Sequence, residues 1–384
     1  MTNRRPPKHR LIYQELYKAI HAGDFSEGAR LPSEAELAKR FQASRPTVGR
    51  ALRDLEEQGM LSRRAGSGTY VRLTESVKGR VFGLIIPHLG DTEIFEPICR
   101  GMAQSHEHDR IALLWGNTVR GEDRAAQARR LCDHYIAQRV SGVFFAPLEL
   151  TPAKDQVNEE VVHALDRAGI AVVLLDRCIY AYPRRSAYDL VGIDNRRAGY
   201  VITEHLLKLG SRRVMFLSRP NSASTVDARI AGYREALYAF GLPIDAQLIQ
   251  RGDPADQNFV RALSARLAPE AIVCANDDTA AHLMHSLDEL GMRAPRDVRI
   301  AGIDDVKYAS LLRVPLTTVR QPCHDIGVAA MAAMLERMEH PAMPPRDILL
   351  DFTLVVRESC GGKTRVNGAE TTAGTVAETV VGVP

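Results

Sequence analysis

Residues able to do chemistry fall into two sets. The first lies within the opening 72 residues: Ser33, then Ser44-Arg45-Pro46-Thr47, Arg50, and the pair Arg63-Arg64 beside the glycines Gly66 and Gly68. Arginine can pair bidentately with a guanine edge, and hydroxyls suit bases or phosphates. The second set recurs after short apolar runs. Ile170–Leu175 ends in Asp176-Arg177, Ala271–Ala275 in Asn276-Asp277, Val298–Ile303 in Asp304-Asp305 and Leu316–Arg320 in Gln321-Pro322, and Arg229 opens a helix after Ser222–Asp227. Acids, amides and guanidinium groups gathered in one cleft can donate to and accept from several hydroxyls at once, which suits a polyol such as a sugar. Each residue also has a plainer reading. An Asp after a strand is often a helix cap, Arg177 could simply pair with Asp176, and each arginine of the first set could be a solvated charge. Shared placement favours the chemical reading over the plainer one.

Other chemistries find little support. His282 and His285 lie three apart and His106 and His108 two apart, with no third ligand in view, so no metal site is expected. The chain has no P-loop, no Gly-x-Ser-x-Gly and no nucleotide fingerprint, so neither a catalytic residue nor a cofactor is expected. Six cysteines (Cys99, Cys132, Cys178, Cys274, Cys323, Cys360) lie far apart without a Cys-x-x-Cys, which fits a reduced cytoplasm. The basic N-terminus has no apolar stretch behind it, and no apolar run approaches the roughly 20 residues that span a bilayer.

Charge separates a head from a body. Residues 1–72 hold 14 Lys and Arg against 8 Asp and Glu, and the remainder holds 36 against 39. A basic head on a slightly acidic body suggests that the head meets a polyanion. Its pattern predicts a helix over His9–Ala22, with Leu11, Ile12, Leu16, Ala19 and Ile20 at helical spacing and Gly23 as the stop. A second helix starts at Ser33, where Glu36 completes a capping box, and runs to about Phe41. A third starts at Ser44, carries Val48, Ala51, Leu52 and Leu55 on one face, and ends at Gly59. Met60–Val71 then reads as two strands around the turn Ala65-Gly66-Ser67-Gly68. Three helices and a hairpin make a winged helix-turn-helix.

Residues 11–71 resemble the DNA-binding domain of the GntR family of bacterial transcription regulators. The carrying stretches are Leu31-Pro32-Ser33-Glu34, Ser44-Arg45-x-Thr47-Val48-x-x-Ala51-Leu52, Leu55-x-x-x-Gly59-x-Leu61 and Gly66-x-Gly68-Thr69-x-Val71. The resemblance implies operator contacts from Ser33, Ser44, Arg45, Thr47 and Arg50 and from the wing around Gly66, with Arg63 and Arg64 flanking it. One position departs: where the family often has arginine, this chain has Gly49.

From Arg80 on, apolar runs alternate with helix-length segments: Val81–Pro87, Ile111–Trp115, Gly142–Pro147, Ile170–Asp176, Leu190–Asp194, Arg213–Ser218, Ala271–Asn276 and Val298–Asp304. Continuous apolar runs suit strands buried on both faces of a parallel sheet, whose ligands bind beyond the strands' C-terminal ends. Residues 80–358 resemble the effector domain of the LacI family, built like periplasmic sugar-binding proteins. The resemblance rests on Gly83-Leu84-Ile85-Ile86-Pro87, Val173-x-x-Asp176-Arg177, Asp194-Asn195-x-x-Ala198-Gly199, Arg229-x-x-Gly232-Tyr233, Asn276-Asp277-x-x-Ala280, Gly302-Ile303-Asp304-Asp305 and Leu316-Thr317-Thr318-Val319-x-Gln321-Pro322. By position it implies that Asp176, Arg177, Arg229, Asn276, Asp304 and Gln321 hold ligand hydroxyls, and that the loop from Asp91 to Phe95 supplies a stacking aromatic, Phe95. Where the family often has Asn-Pro-aromatic-aromatic, this chain has Thr92-Glu93-Ile94-Phe95. A GntR-type head on a LacI-type body is the layout of the arabinose-repressor class.

The expected architecture is α/β: a winged helix-turn-helix over 1–72, a linker over 73–80, a two-lobed periplasmic-binding-protein-like domain over 81–360, and a disordered tail over 361–384. Lobe 1 is expected at 81–190 and 318–340, and lobe 2 at 192–316 and 341–360. The expected function is a cytoplasmic, non-enzymatic repressor of carbohydrate-utilisation genes. It would act as a homodimer on palindromic operator DNA and be released by a monosaccharide or derivative. Alternatives are a regulator with a non-sugar effector such as a nucleobase, a regulator with an enzyme body, and a sugar-binding module that has lost DNA binding.

Overall fold

The computed structural model describes residues 8–22, 25, 28–57, 60–64, 68–71, 80–86, 93–104, 111–116, 123–366 and 369–372. The chain forms two compact units, a head up to residue 80 and a body after it.

In the head, α1 (Lys8–Ala22), α2 (Glu34–Arg40) and α3 (Arg45–Glu57) precede an antiparallel hairpin of β1 (Leu61–Arg64) and β2 (Gly68–Val71). Ile12, Leu16 and Ile20 of α1 meet Leu37 of α2 and Val48, Ala51, Leu52 and Leu55 of α3 in one buried cluster. The helical periodicity read in the sequence is therefore the core face. Ser33 and Glu36 form the capping box: Glu36 N–H donates to Ser33 Oγ, and Ser33 N–H donates to Glu36 Oε2 at 2.7 Å. Three short helices and a wing thus stand on a core that the sequence pattern marks directly.

The body opens with β3 (Arg80–Ile85), α4 (Phe95–Gln104), β4 (Ile111–Trp115), α5 (Arg124–Ala137), β5 (Gly142–Phe145), α6 (Lys154–Arg167), β6 (Ala171–Leu175) and β7 (Asp189–Ile193). The chain then crosses to a second lobe of α7 (Asn195–Lys208), β8 (Val214–Ser218), α8 (Ser224–Ala239), β9 (Ile249–Arg251), α9 (Gln257–Leu267), β10 (Ala271–Cys274), α10 (Asp277–Glu289), β11 (Arg299–Asp304) and β12 (Thr317–Arg320). It returns for α11 (Cys323–Glu339) and β13 (Asp347–Leu350), then crosses again for β14 (Thr353–Val355). One sheet has the order β13-β7-β6-β5-β3-β4 and the other β14-β12-β11-β10-β8-β9. The runs β13-β7-β6-β5-β3 and β12-β11-β10-β8-β9 pair in parallel, and β14 joins β12 antiparallel.

Each lobe has an apolar core, one under α5 and α6 and one under α9 and α10. On the other faces, helices pack at glycines. A methyl group on Gly199 of α7 would collide with the Arg229 carbonyl of α8, and one on Gly232 of α8 with the Arg196 carbonyl of α7. Gly101 of α4 and Gly327 of α11 make the equivalent approach in the first lobe.

The structure corrects several sequence expectations. β12 pairs with β11, so residues 318–320 belong to the second lobe rather than the first. β13 pairs with β7, so Asp347–Leu350 belongs to the first lobe rather than the second. The crossings fall at Asp194, Gln321-Pro322 and Asp351-Phe352. β4 is a half-buried edge strand with Trp115 exposed, not a strand buried on both faces. The segment expected as a disordered tail begins with a hairpin of β15 (Lys363–Val366) and β16 (Ala369–Thr372). Residues 373–384 and the expected linker over 73–79 lie outside the described residues.

Candidate functional site

Two places bring the singled-out residues together. In the body, strand ends deliver them to the junction between the lobes. Asp176 follows β6 with φ +66°, and Asp304 ends β11 with φ +130°. These left-handed conformations are strained for residues with a Cβ, and such strain collects at functional sites. Arg177, only 5% exposed, pairs with Glu149 and with Asp176 Oδ2 at 3.1 Å. Its guanidinium also lies over the Phe95 ring, 5.6 Å from the centroid. Burial works against the Arg177 charge, but Glu149 and Asp176 outweigh it and raise its pKa. The same pairing outweighs burial at Glu149 and lowers its pKa.

Across the junction, Arg229 projects from α8 and is 4% exposed. Its Nε donates to Asn195 Oδ1 at 2.8 Å, its Nη1 to the Ala275 carbonyl at 2.5 Å, and its Nη2 stands 3.7 Å from Asp304 Oδ1. Gln321 Nε2 donates to the same Asp304 oxygen at 2.7 Å. Burial pushes the Asp304 carboxyl up to about 6, with Arg229 opposing. Behind it, Asp277 is fully buried and accepts from Thr318 Oγ1 at 2.6 Å and Val306 N–H at 3.1 Å. Burial first and the Asp304 charge second push Asp277 up to about 8.

The site therefore collects two hydrogen-bonded and ion-paired sets, Arg177 with Asp176 and Glu149 against Phe95, and Arg229 with Asp304, Gln321 and Asn195, whose charges act on one another. Asn276 serves differently, since its Oδ1 caps α10 by accepting from Thr279 N–H at 2.9 Å. Asp91 lies outside the described residues. Sequence reasoning missed Glu149 and Asn195. Glu149 lies two residues past the run Gly142–Pro147, with Leu148 between, so the rule that found Asp176 and Asp304 does not reach it. Among the described residues, Asp176 Oδ1 is buried without a hydrogen-bond partner. It is an acceptor open to a donor from a ligand. Cavities flank the two sets. One of about 320 Å³ touches Asp304 and Gln321, and one of about 420 Å³ touches Asp176, Arg177 and Asn195.

The second place is the start of α3. Ser44 Oγ and Thr47 Oγ1 are 2.7 Å apart, while Arg45 and Arg50 are exposed. Ser33 is spent in the α2 capping box. Gly68 opens β2 with φ +125°, under the Arg30 side chain. Arg63, expected at the DNA beside the wing, pairs with Glu34 at 3.3 Å and Glu56 at 3.2 Å. Gly66 and the Arg64 side chain lie outside the described residues. Elsewhere, His282 and His285 face Asp278 and Glu289 one turn along α10. His106 and His108 lie outside the described residues. Among the described residues no helix is long and apolar enough to cross a membrane.

Comparison with known proteins agrees with this division. Residues 8–71 match the gntR family of bacterial regulatory proteins, and residues 203–360 match the periplasmic binding protein-like domain. The chain is 27% identical to the arabinose metabolism transcriptional repressor of Geobacillus stearothermophilus over 372 residues, covering 94% of this chain and 99% of that protein. A solved structure of a regulator described as LacI-family from Sanguibacter keddieii is 32% identical, with TM-score 0.58 over 74% of this chain and 100% of that one. A complex of the regulator CelR with cellobiose has TM-score 0.63 at 22% identity, covering 92% of this chain and 100% of that one, and shows a shared fold. These similar proteins are transcription regulators, not enzymes.

Proposed function

Since the chain belongs to the LacI-type transcription regulators through its body and carries a gntR-family head, we propose that it represses carbohydrate-utilisation genes and leaves its operator when a small sugar binds between the lobes. Ser44, Arg45, Thr47 and Arg50 at the start of α3 are the operator contacts in this reading, joined by the wing around Gly66 and Gly68 with Arg64. Asp176, Arg177, Arg229, Asp304 and Gln321 hold the sugar hydroxyls in this reading, with Phe95 beneath, and Asn276 and Asp91 are further contacts. The body pairs with a second copy, so the operator is a palindrome whose half-sites are a helical turn or a multiple apart.

One observation carries the sugar reading: the unpartnered, buried Asp176 Oδ1 beside an alternation of acids and guanidiniums. A polyhydroxyl ligand satisfies such a mixture because each hydroxyl both donates and accepts. The test is a thermal shift against pentoses, hexoses, disaccharides, sugar acids, sugar phosphates and nucleobases. A ligand at 100 times its dissociation constant adds about 2.7 kcal/mol. A sugar that raises Tm and also releases the protein from DNA of its own upstream region supports the reading. A shift with a nucleobase alone replaces the effector class. No shift with any compound rejects the cleft assignment.

A further inference from the structure

On β1, the Arg63 guanidinium stands against three groups from two helices. Nη2 lies 3.3 Å from Glu34 Oε1 at the start of α2 and 3.4 Å from the Gly49 carbonyl within α3. Nε lies 3.2 Å from Glu56 Oε2 in the last turn of α3, and the Arg63 backbone N–H donates to Glu56 Oε1 at 3.3 Å. One side chain thus ties the wing to both helices of the helix-turn-helix. Gly49 leaves room for this arrangement. The Glu34 carboxylate oxygens lie 3.5 and 3.6 Å from where a Cβ on Gly49 would stand. A long side chain there would compete for the ground shared by the carboxylate and the guanidinium. A glycine inside a helix is otherwise unfavourable, so its place against Glu34 is informative.

We propose that Arg63 is a positioning residue for operator binding: it fixes the wing against α2 and α3 and is not among the cations that neutralise DNA phosphates. Two carboxylates already balance its charge. A phosphate that drew Arg63 away would leave Glu34 and Glu56 unpaired beside a polyanion. A wing held at a set angle to the recognition helix loses less freedom when it docks.

The test uses the full-length chain and a duplex that it enriches from random-sequence DNA, with affinity measured by fluorescence anisotropy across a salt series. Glu56→Gln is the decisive variant. It removes a negative charge from a DNA-binding head and from the C-terminal turn of a helix, where negative charge is unfavourable. The first effect favours equal or tighter binding, and the second stabilises the helix without weakening binding. A positioning role for Arg63 predicts the opposite, binding about fivefold weaker with an unchanged circular dichroism spectrum. Arg63→Gln should bind about tenfold weaker with the same slope of log affinity against log salt. Loss of a phosphate contact would instead reduce that slope by about 0.9. Equal or tighter binding by Glu56→Gln, or a reduced slope for Arg63→Gln, overturns the proposal.

Discussion

In the proposed function Arg45 would act by exposure and Asp304 by its place within the cleft. Arg45 stands exposed at the start of α3, so its removal should cost DNA contact and little else. Arg45→Ala is expected to weaken operator binding by about 1–3 kcal/mol and leave the sugar-induced thermal shift intact. Unchanged affinity in an anisotropy titration would reject α3 as the reading helix. Asp304→Ala should do the reverse, abolishing the thermal shift with sugar while operator affinity stays within about twofold. The buried acids also set a pH dependence. Asp277 is pushed up to about 8 and Asp304 to about 6, against roughly 3.9 for an unfolded Asp. Between those values the folded protein holds protons that the unfolded chain has released. Their contribution to stability is therefore present at low pH and is lost as pH rises from about 4 towards 8. Asp277→Asn cannot lose that proton. Urea melts should show that the fall in stability between pH 6 and 9 is at least about halved in this variant. An unchanged fall would show that Asp277 is already ionised in the fold.

At the scale of elements, α7 and α8 can be read as a device for aiming Arg229. Gly199 faces the Arg229 carbonyl so closely that no Cβ fits. Gly199→Ala should therefore push α8 outward, cost about 1–3 kcal/mol, and weaken sugar binding although residue 199 touches no ligand. Gly49→Ala makes the useful contrast. Its Cβ would meet Glu34 at an ordinary 3.5 Å, so the head should gain about 0.5–1 kcal/mol, visible as a higher Tm, and keep its DNA affinity. A loss of stability at Gly49→Ala would mean that Glu34 cannot yield even a few tenths of an ångström. The same elements show what the sequence made legible. Helices with one apolar face, such as α1 and α3, and strands with unbroken apolar runs, such as β5, β6 and β8, declare themselves because burial writes their period into the chain. β9, β13 and β14 escaped because three or four partly exposed residues at or near a sheet edge carry no period. At the site, residues directly after strands were legible from placement alone. Glu149 was not, because Leu148 separates it from the recognised run. The role of Arg63 was not legible either, because its partners lie seven and 29 positions away.

For the whole molecule, the lobes of the body are joined at more than the crossings. Leu150 N–H donates to the Asn221 carbonyl at 2.7 Å and Ser224 Oγ to the Cys178 carbonyl at 2.9 Å. At another edge, Lys307 N–H donates to Glu93 at 2.9 Å and Lys307 Nζ pairs with Glu96 at 3.0 Å. Each contact joins a first-lobe residue to a second-lobe residue, so each weakens if the lobes part. If a sugar binds between the lobes, as proposed, closure and binding favour one another, and the ligand shifts that equilibrium only by its differential affinity for the two states. The exposed Lys307 pair is worth at most about 1 kcal/mol. Lys307→Ala should accordingly weaken sugar binding by no more than about fivefold, with the loss shrinking at high salt. If the sugar releases the operator through this closure, linkage requires reciprocity. The factor by which saturating sugar weakens operator affinity must equal the factor by which saturating operator duplex weakens sugar affinity. Calorimetric titration of sugar with and without duplex gives one factor, and anisotropy titration of duplex with and without sugar gives the other. Equal factors above about fivefold would establish a coupling of at least about 1 kcal/mol between cleft and head. Factors of one would show that sugar and operator bind independently, and would end the reading of the body as the head's regulator.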